Sequence, residues 1–415
     1  MSEVFQRHLV DWGKQLLGSF PCLIIEGARQ VGKSTLADML VAGQPHTIVS
    51  LDDPALRQTI MDDPRLFLNE RRQRVLVIDE VQREPDLILY IKMAIDEDRI
   101  PGRLIVTGSS DLLRLRSTPD SLAGRAATIH LRGLSQGEIA GSHDDFATKA
   151  HQSLLSGAAS SAWSRGDYVQ AIAAGGYPEL HTSIPPSMRS TWITSYIRGL
   201  LTRDLADVTR SAAVPHLTSL LRLLAANQSG ELVKARLASD LGLGQVTADR
   251  YFDALTTLFL LEDLPPWRTN LTKREVGRHK ISLSDSALAL TLDRLSEKQL
   301  EAVPAPLALG GLLEGFVTTE LMKQHTWSQE DFQLFHFRDR NGLEVDLVIE
   351  YDDGRIFLIE VKATQTYRPE HTAAIRSLAD TLGDRFCGGA VLSFVPEPAR
   401  FGERIWGLPV SCLWT

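Results

Sequence analysis

The chain has 415 residues, of which 43% are hydrophobic and 23% are charged, and its formal net charge is −8 at pH 7. This length predicts several domains, and the balanced composition excludes collagen-like and low-complexity proteins. The acidic total argues against indiscriminate coating of nucleic acid, and no apolar run reaches the roughly 18 residues that a membrane span needs.

The opening segment and the cysteines predict a cytoplasmic protein. The first residues, MSEVFQRHLVDWGK, lack the apolar core of a secretory signal. Cys22, Cys387 and Cys412 lie far apart and form no C-x-x-C pair. We therefore expect buried, reduced thiols rather than disulfides or a zinc site.

A phosphate-binding loop is predicted near the N-terminus. FPCLIIEGARQVGKSTLADML indicates a strand at 23–25, a glycine-bearing loop and a helix. The loop matches G-x-x-x-x-G-K-[ST] between strand and helix, and a chance match in a structural turn is the alternative. Its amide groups and Lys33 would bind the phosphates of ATP, and the Ser34 hydroxyl would bind Mg²⁺. The candidate nucleotide-binding residues are Gly27, Ala28, Arg29, Gln30, Val31, Gly32, Lys33, Ser34 and Thr35.

Two carboxylates follow a second predicted strand, RVLVIDEVQ at 74–82. They stand at its C-terminal end, where ligands bind in open α/β sheets. Asp79 would hold Mg²⁺ through water, and Glu80 would orient or deprotonate the attacking water. The alternative is a strand that ends in solvated acids.

Two further segments resemble parts of AAA+ ATPases. RLIVTGSS at 103–110 is a buried strand ending in hydroxyls, which resembles the sensor-1 strand and implies Thr107 or Ser109 near the γ-phosphate. SLAGR at 121–125 places Arg125 just before another strand, where AAA+ motors carry an arginine that completes the neighbouring subunit's active site. Structural turn residues, and for Arg125 a surface or DNA-facing role, are the alternatives.

Together with GGYPE at 175–179, these motifs resemble a widespread bacterial and archaeal AAA+ group that carries a long C-terminal region. The resemblance covers essentially the whole chain. It implies an α/β fold with a P-loop AAA+ parallel sheet and a helical lid, ATP hydrolysis, and a homo-oligomeric ring, by analogy a hexamer. GGYP also resembles the lid segment of Holliday-junction branch-migration ATPases, although Glu179 replaces the arginine found there.

The middle of the chain predicts a DNA-facing module. Residues 146–165 are polar and rich in Ala and Ser, which predicts a surface linker before the lid. Helices are expected at 217–226, 232–241 and 245–255, and the Gly242-Leu-Gly244 break between the last two indicates a helix-turn-helix. Helical spacing turns Val246, Tyr251 and Leu255 inward and leaves Thr247, Asp249 and Arg250 exposed.

Strands expected at 259–267 and 280–285 favour a winged helix with a basic loop between them. From residue 189 to residue 280, thirteen Lys and Arg face nine Asp and Glu, a local charge of +4. Basic side chains at such a loop suit contacts to DNA phosphates, although many winged helices only pack against proteins. The candidate DNA contacts are Arg250, Arg268, Lys273, Arg274, Arg278 and Lys280.

The C-terminal part predicts two hairpins that bring acidic residues together. Asn341-Gly342 favours a two-residue type I′ turn. The next turn, DDG at 352–354, suits a three-residue loop with Tyr351 opposite Arg355. That register puts Asp346 opposite Glu360 and leaves Lys362 on the same face.

This pattern resembles the PD-(D/E)XK nuclease core, with Val345 in place of the proline. The resemblance implies a restriction-endonuclease-like α/β domain in which Glu314, from a preceding helix, joins Asp346, Glu360 and Lys362. Asp346 and Glu360 would hold a divalent metal ion, and Lys362 would stabilise charge. An inactive nuclease fold or a meander with exposed acids are the alternatives.

The predicted organisation is an ATPase core at 1–145, a linker and helical lid at 146–212, a winged-helix-like module at 213–290 and a nuclease-like domain at 291–415. The expected function is an AAA+ ATPase that remodels or translocates on duplex or branched DNA, such as Holliday junctions. An ATP-regulated endonuclease and a nucleotide-gated switch acting on protein partners are the alternatives.

Overall fold

The computed structural model describes residues 4–70, 74–110, 122–204, 213–268 and 277–415. These residues form two compact units, one at 6–133 with 255–260 and the other at 134–254 with 261–415 and the extreme N-terminal residues. The segment 134–145, expected in the ATPase core, thus belongs to the second unit. Apart from 255–260, the three modules predicted after residue 145 share that unit.

A five-stranded parallel sheet forms the centre of the first unit. Its strands are β1 (Cys22–Glu26), β2 (His46–Ser50), β3 (Val75–Asp79), β4 (Leu104–Gly108) and β5 (Ala126–His130), in the order β2-β3-β4-β1-β5. The helices are α1 (Leu9–Ser19), α2 (Lys33–Val41), α3 (Pro54–Asp62), α4 (Pro64–Asn69) and α5 (Leu87–Glu97). The strands β1 and β4 are buried along their whole length, as in a parallel sheet covered by helices. This is the predicted sheet of a P-loop AAA+ fold.

The register of this sheet brings the predicted site residues to the C-terminal ends of its strands. Ile25 of β1 pairs with Thr107 of β4, and Ile78, just before Asp79, pairs with Val106. Since the strands run parallel, the phosphate loop after β1 and the acids after β3 emerge at the same end of the sheet.

The second unit begins with short helices. They are α6 (Gln136–Ala140), α7 (Phe146–His151), α8 (Arg165–Ala174), α9 (Glu179–Thr182) and α10 (Arg189–Gly199), and a π-helical turn at Leu200–Asp204 follows α10. The predicted surface linker is wrong for α7, because Phe146 is fully buried against Phe357, with ring centroids 6.0 Å apart. Its N-terminus is capped by the Asp145 carboxylate, which accepts from the Thr148 amide at 3.1 Å. The average composition of this segment gave no indication of a short helix that is mostly buried.

The GGYP motif has a packing role within this unit. Gly175 has φ +63°, and a Cβ there would lie 2.2 Å from Oδ1 of Asp285. The Gly176 amide donates to the Asp285 carboxylate at 2.7 Å, and the Gly176 carbonyl accepts from the Leu134 amide at 2.7 Å. Glycine is required because the carboxylate approaches the main chain directly.

The three helices of the middle module form as predicted, with one short strand after the first helix and two strands after the third. The order is α11 (Val214–Ala226), β6 (Gly230–Glu231), α12 (Lys234–Asp240), α13 (Gln245–Thr257), β7 (Leu261–Leu264) and β8 (Lys280–Leu283). The strands form an antiparallel sheet in the order β6-β8-β7, with β8 in the centre. This order of elements is the one that a winged helix requires, and the assignment of a winged helix remains a prediction.

One inward-facing residue of this module was predicted wrongly. Val246 is 84% exposed, whereas Ala248, Tyr251 and Leu255 are buried. Helix α13 begins only one residue earlier, so Val246 sits in its first turn. The buried stripe runs at i, i+3 and i+7 from Ala248 instead.

A six-stranded mixed sheet and its helices complete the second unit. The strands are β9 (Phe332–Arg338), β10 (Glu344–Tyr351), β11 (Ile356–Lys362), β12 (Phe386–Ser393), β13 (Ala399–Arg400) and β14 (Ile405–Pro409), in the order β13-β14-β12-β11-β10-β9. The helices are α14 (Ser286–Leu292), α15 (Glu297–Leu300), α16 (Ala308–Gln324) and α17 (Ala373–Leu382). Strands β9, β10 and β11 pair antiparallel, and β11, β12 and β14 pair parallel.

The predicted register between β10 and β11 is confirmed. Leu347 pairs with Ile359, and the ladder continues to the turn with the same sum of residue numbers. The Tyr351 amide donates to the Arg355 carbonyl at 2.9 Å, and Gly354 has φ +82°. The three-residue loop therefore has its glycine in the left-handed position.

The other hairpin differs from its prediction. The Asp339 amide donates to the Leu343 carbonyl at 2.9 Å, so the loop contains three residues rather than two. Only Gly342 has positive φ, at +87°, whereas a type I′ turn needs two such residues. The Asp339 carboxylate accepts from the amides of Asn341 and Leu343, each at 2.8 Å. This side-chain capping favours the longer loop.

The cysteines agree with the prediction. Cys22, Cys387 and Cys412 are buried and free of disulfides, and burial raises the pKa of the Cys22 thiol to about 12. Among the helices of the described residues, none is long and apolar enough to cross a bilayer.

Candidate active site

The phosphate loop connects β1 to α2 and depends on two glycines. Gly27 has φ +152°, and a Cβ at this position would lie 2.1 Å from the Leu131 carbonyl oxygen. Gly32 has φ +97° at the N-terminus of α2. A side chain at Gly27 would collide with main-chain atoms, so the loop can keep this shape only with glycine there.

Lys33 is held by the loop itself. Its side chain is buried, and its Nζ donates to the carbonyl oxygens of Gly27 at 3.1 Å and Ala28 at 2.9 Å. Burial lowers the pKa of Lys33 to about 8, although the nearby Glu80 and Asp79 carboxylates oppose this shift. The ammonium therefore has neutral partners that a phosphate can replace.

Arg7 supports the loop from outside the motif. Its Nη1 donates to the Val31 carbonyl at 2.8 Å, and its Nη2 donates to the Arg132 carbonyl at 2.9 Å. The guanidinium is buried, and it thereby ties the loop to the segment that follows β5. No spacing rule links a residue before α1 to the phosphate loop, and sequence reasoning missed it.

The residues predicted to hold Mg²⁺ lie together. The Ser34 hydroxyl donates to Oδ1 of Asp79 at 3.0 Å, and the Thr107 hydroxyl also donates to this carboxylate oxygen. Ser34 and its neighbour Thr35 are exposed. A hydroxyl and a carboxylate of this kind supply the oxygen ligands that Mg²⁺ prefers, so the residues present fit the ion.

The Glu80 carboxylate is held by two polar side chains. Ser109 Oγ donates to its Oε2 at 3.0 Å, and Gln82 Nε2 donates to the same oxygen. Gln82 also donates to Ser109 at 2.7 Å, which closes the triangle. Glu80 itself has φ +59°, an uncommon conformation for this residue, and its amide donates to Thr107 at 3.1 Å. Gln82 is the second residue that sequence reasoning missed, although it follows the acids directly.

Arg125 lies away from the phosphate loop of its own chain. It precedes β5, whose first residue Ala126 pairs with Cys22 at the start of β1, and the loop follows the other end of β1. The guanidinium pairs with Asp96 through two contacts, Nε to Oδ1 at 2.6 Å and Nη2 to Oδ2 at 3.0 Å. Arg125 therefore lies at the opposite end of the parallel strands from the phosphate loop of its own chain.

In the second unit, the acidic residues converge as the register required. The Lys362 ammonium lies 3.2 Å from Oδ2 of Asp346 and 2.5 Å from Oε2 of Glu360. The Val361 amide donates to Asp346 at 2.8 Å. Glu314 of α16 faces the same cluster, and burial together with the Asp346 charge raises its pKa.

Lys280, predicted to contact DNA, lies in this cluster instead. Its side chain is 3% exposed, and its Nζ lies 2.7 Å from Oε1 of Glu314, 2.8 Å from Oε1 of Glu344 and 3.9 Å from Oδ1 of Asp346. The DNA-contact prediction for Lys280 is wrong, because a buried ammonium in three ion pairs cannot reach a phosphate.

The cluster does not fit the predicted metal ion at Asp346 and Glu360. Across the described ranges of the chain, no group of three or more His, Cys, Asp or Glu side chains is placed to hold a metal. The carboxylates are paired instead with the ammonium groups of Lys280 and Lys362.

The other candidate DNA contacts are spread over the middle module. Arg250 is exposed, with its guanidinium 5.9 Å from the Tyr251 ring centroid. The Arg278 side chain is 67% exposed. Arg268 is half-buried and lies 5.5 Å from the centroid of the Phe337 ring. Lys273 and Arg274 lie outside the described residues.

Family models match three parts of the chain. A model described as an AAA domain matches residues 19–140, and models described as domains of unknown function (DUF8612 and DUF4143) match residues 165–299 and 309–413. Among solved structures, the chain is similar to the Walker-type ATPase PABY2304 of Pyrococcus abyssi, with a TM-score of 0.44 and 14% identity over 70% of this chain and 96% of that chain.

Two curated relatives align over nearly the whole length. They are the uncharacterized proteins Mb2031c of Mycobacterium bovis and Rv2008c of Mycobacterium tuberculosis, each 31% identical over 372 residues. The alignment covers 88% of this chain and 75% of each relative. With the AAA domain at residues 19–140 and the P-loop geometry described above, the chain belongs to the family of these mycobacterial proteins, and it is an ATPase of the P-loop, AAA+ type.

Proposed function

We propose that this ATPase hydrolyses ATP to remodel or move along duplex or branched DNA, including four-way junctions, as a homo-oligomeric ring. One observation carries the hydrolytic part. The Lys33 ammonium, the Ser34–Asp79 pair and the Glu80 carboxylate meet at one edge of the parallel sheet. These groups can bind the phosphates, hold the Mg²⁺ that neutralises their charge, and activate the attacking water.

Each of these side chains has a defined task. Lys33 exchanges its two carbonyl partners for phosphate oxygens, because a charged acceptor binds an ammonium more strongly than a neutral one. Magnesium, bound by the Ser34 hydroxyl and through Asp79, would neutralise charge that builds on the transferring phosphoryl group. Glu80 accepts a proton from the attacking water, and Gln82 and Ser109 keep its carboxylate oriented.

The DNA part of the proposal rests on the middle module. Its helices and antiparallel sheet have the winged-helix order, and exposed arginines lie on it at Arg250 and Arg278. The segment 189–280 carries a net charge of +4 within an acidic chain. Such a local basic surface supports phosphate contacts that give affinity without sequence specificity.

The ring part of the proposal rests on Arg125. The two-contact pair with Asp96 holds the guanidinium in a fixed orientation at the end of the strands opposite the phosphate loop. In a head-to-tail ring, an arginine at that end can reach the next subunit's phosphates. A nucleotide-gated switch that acts on a protein partner is the competing proposal, and it requires neither DNA stimulation nor this contact.

The hydrolytic roles predict different defects for two substitutions. Lys33→Met should abolish binding of a fluorescent ATP analogue, because the phosphates lose their buried cation. Glu80→Gln should keep that binding and lower the turnover rate by about 100-fold or more, because the water loses its base. Lys298→Met, at an exposed lysine, is the matched control and should change neither. Normal turnover in Glu80→Gln would refute the role of this carboxylate.

The lowered pKa of Lys33 predicts a pH dependence of nucleotide affinity. A bound phosphate raises the pKa of this ammonium above its free value of about 8, so binding takes up a proton at higher pH. Affinity should therefore be constant below about pH 8 and fall by up to about tenfold per pH unit above it. Titrations of ATP analogue across this range measure it. Lys33→Arg, which stays charged, should flatten the dependence, and a flat wild-type profile contradicts the assignment.

Action of Arg125 in the active site of a neighbouring subunit predicts that two inactive variants restore each other's ATPase activity. Arg125→Ala should bind ATP but lose turnover, and so should Glu80→Gln. Mixed in equal amounts before assembly, they should recover about one quarter of the wild-type rate, because that share of interfaces has both groups intact. Asp96→Asn breaks the ion pair but keeps the arginine, so it should remain active. No recovery in the mixture would exclude action across the interface.

The DNA part predicts stimulation of ATPase activity by nucleic acid. Duplex, single-stranded and four-way DNA should be compared at several salt concentrations, and at least one form should raise the rate. Arg278→Ala should weaken DNA binding and reduce the slope of log affinity against log salt by about 1. Arg400→Ala, at an exposed arginine of the C-terminal sheet, is the control. If no DNA form stimulates hydrolysis, the switch proposal gains over the motor.

A further inference from the structure

A buried cation of the protein's own chain lies among the acidic residues of the second unit. Lys280 comes from β8 of the middle module, and its three carboxylate partners come from α16 and β10 of the C-terminal part. Glu314 and Glu344 are within 2.8 Å of its Nζ. These are the distances of direct, charge-assisted hydrogen bonds.

We propose that the Lys280 ammonium is the resident cation of this carboxylate cluster, where it replaces the divalent metal ion and joins the middle module to the C-terminal sheet. The C-terminal part then binds no metal at Asp346 and Glu360 and cleaves no phosphodiester bond. This inference concerns the second unit alone and does not rest on the proposed ATP-driven activity.

The carboxylates of the cluster already have cationic partners without a metal. Four carboxylates, of Glu314, Glu344, Asp346 and Glu360, face the ammonium groups of Lys280 and Lys362. Arg338 adds a third cation, since its Nη1 lies 3.6 Å from Oε2 of Glu344. A divalent ion would bring two more positive charges into this largely buried site, which is unfavourable.

The electrostatics keep Lys280 charged. Burial alone would lower the pKa of Lys280, but the carboxylates of Glu314, Asp346 and Glu344 outweigh burial and raise it. Its proton is therefore retained throughout the physiological range. Lys362 behaves in the same way, since the opposing effects of Asp346 and Glu360 exceed the desolvation of its ammonium.

Main-chain hydrogen bonds fix the position from which Lys280 reaches the cluster. Strand β8 is the central strand of its sheet, and Lys280 pairs with Glu231 of β6 on one side and with Leu264 of β7 on the other. Beyond β7, the Trp267 amide donates to the His336 carbonyl at 2.5 Å and so connects this sheet to β9. These main-chain bonds fix the position of the Lys280 backbone relative to β9 and β10 of the C-terminal sheet.

The test measures Mn²⁺ binding in nucleotide-free protein by the electron paramagnetic resonance signal of the free ion. Wild type should bind no Mn²⁺ that depends on Asp346, and it should cleave no DNA with Mn²⁺. Lys280→Met should melt about 5 °C or more lower, because the acids lose their partner. Added Mn²⁺ should bind this variant with one ion per chain and restore part of the lost melting temperature.

The controls separate the cluster from other sites. In Lys280→Met with Asp346→Asn, the Mn²⁺ rescue should disappear, and Lys298→Met should behave as wild type. If Lys280→Met does not fold, wild type and Asp346→Asn still decide the question. Mn²⁺ bound by wild type and lost in Asp346→Asn would overturn the proposal, and so would Mn²⁺-dependent DNA cleavage lost in the same variant. A Lys280→Met variant as stable as wild type would also overturn it.

Discussion

A positive charge that is removed from water must be surrounded by oxygen atoms, and this requirement shapes both ends of the chain. Lys33 and Lys280 are buried to a similar degree. The partners of Lys33 are two neutral carbonyls of its own loop, whereas Lys280 has carboxylates from two other elements. The same side chain is therefore loosely held in one place and firmly held in the other.

This difference in partners explains why the phosphate loop suits repeated exchange of a ligand, whereas the carboxylate cluster suits a lasting ion pair. Burial lowers the pKa of Lys33 although Glu80 and Asp79 oppose the shift, and an incoming phosphate is a stronger partner for its ammonium than the two neutral carbonyls. Around Lys280 the carboxylates of Glu314, Asp346 and Glu344 outweigh burial and raise its pKa. A nucleotide pocket must release and rebind its ligand in every cycle, whereas a junction between modules must not open.

The sequence predicted those features that depend on neighbours in the chain. The phosphate loop, the acids after β3 and the register of β10 with β11 follow from short motifs and turn geometry, and the structure places them accordingly. The errors concern partners that are remote. Lys280 was predicted to contact DNA as part of a basic loop, because no nearby residue in the sequence indicates that Glu314 and Glu344 are its neighbours in space. Arg7 carries no motif, and Val246 was predicted wrongly because the buried positions of α13 begin at Ala248, beyond its first residues.

The left-handed backbone at Glu80 has a consequence for how this enzyme can evolve. A non-glycine residue in that region carries a conformational penalty of roughly 1 kcal/mol. Selection for thermal robustness alone would favour glycine or asparagine at this position, since both tolerate the geometry. In the role proposed for Glu80, an acid at this position trades folding stability for chemistry, so a heat-adapted relative with the same glutamate must gain the missing stability elsewhere in the ATPase unit.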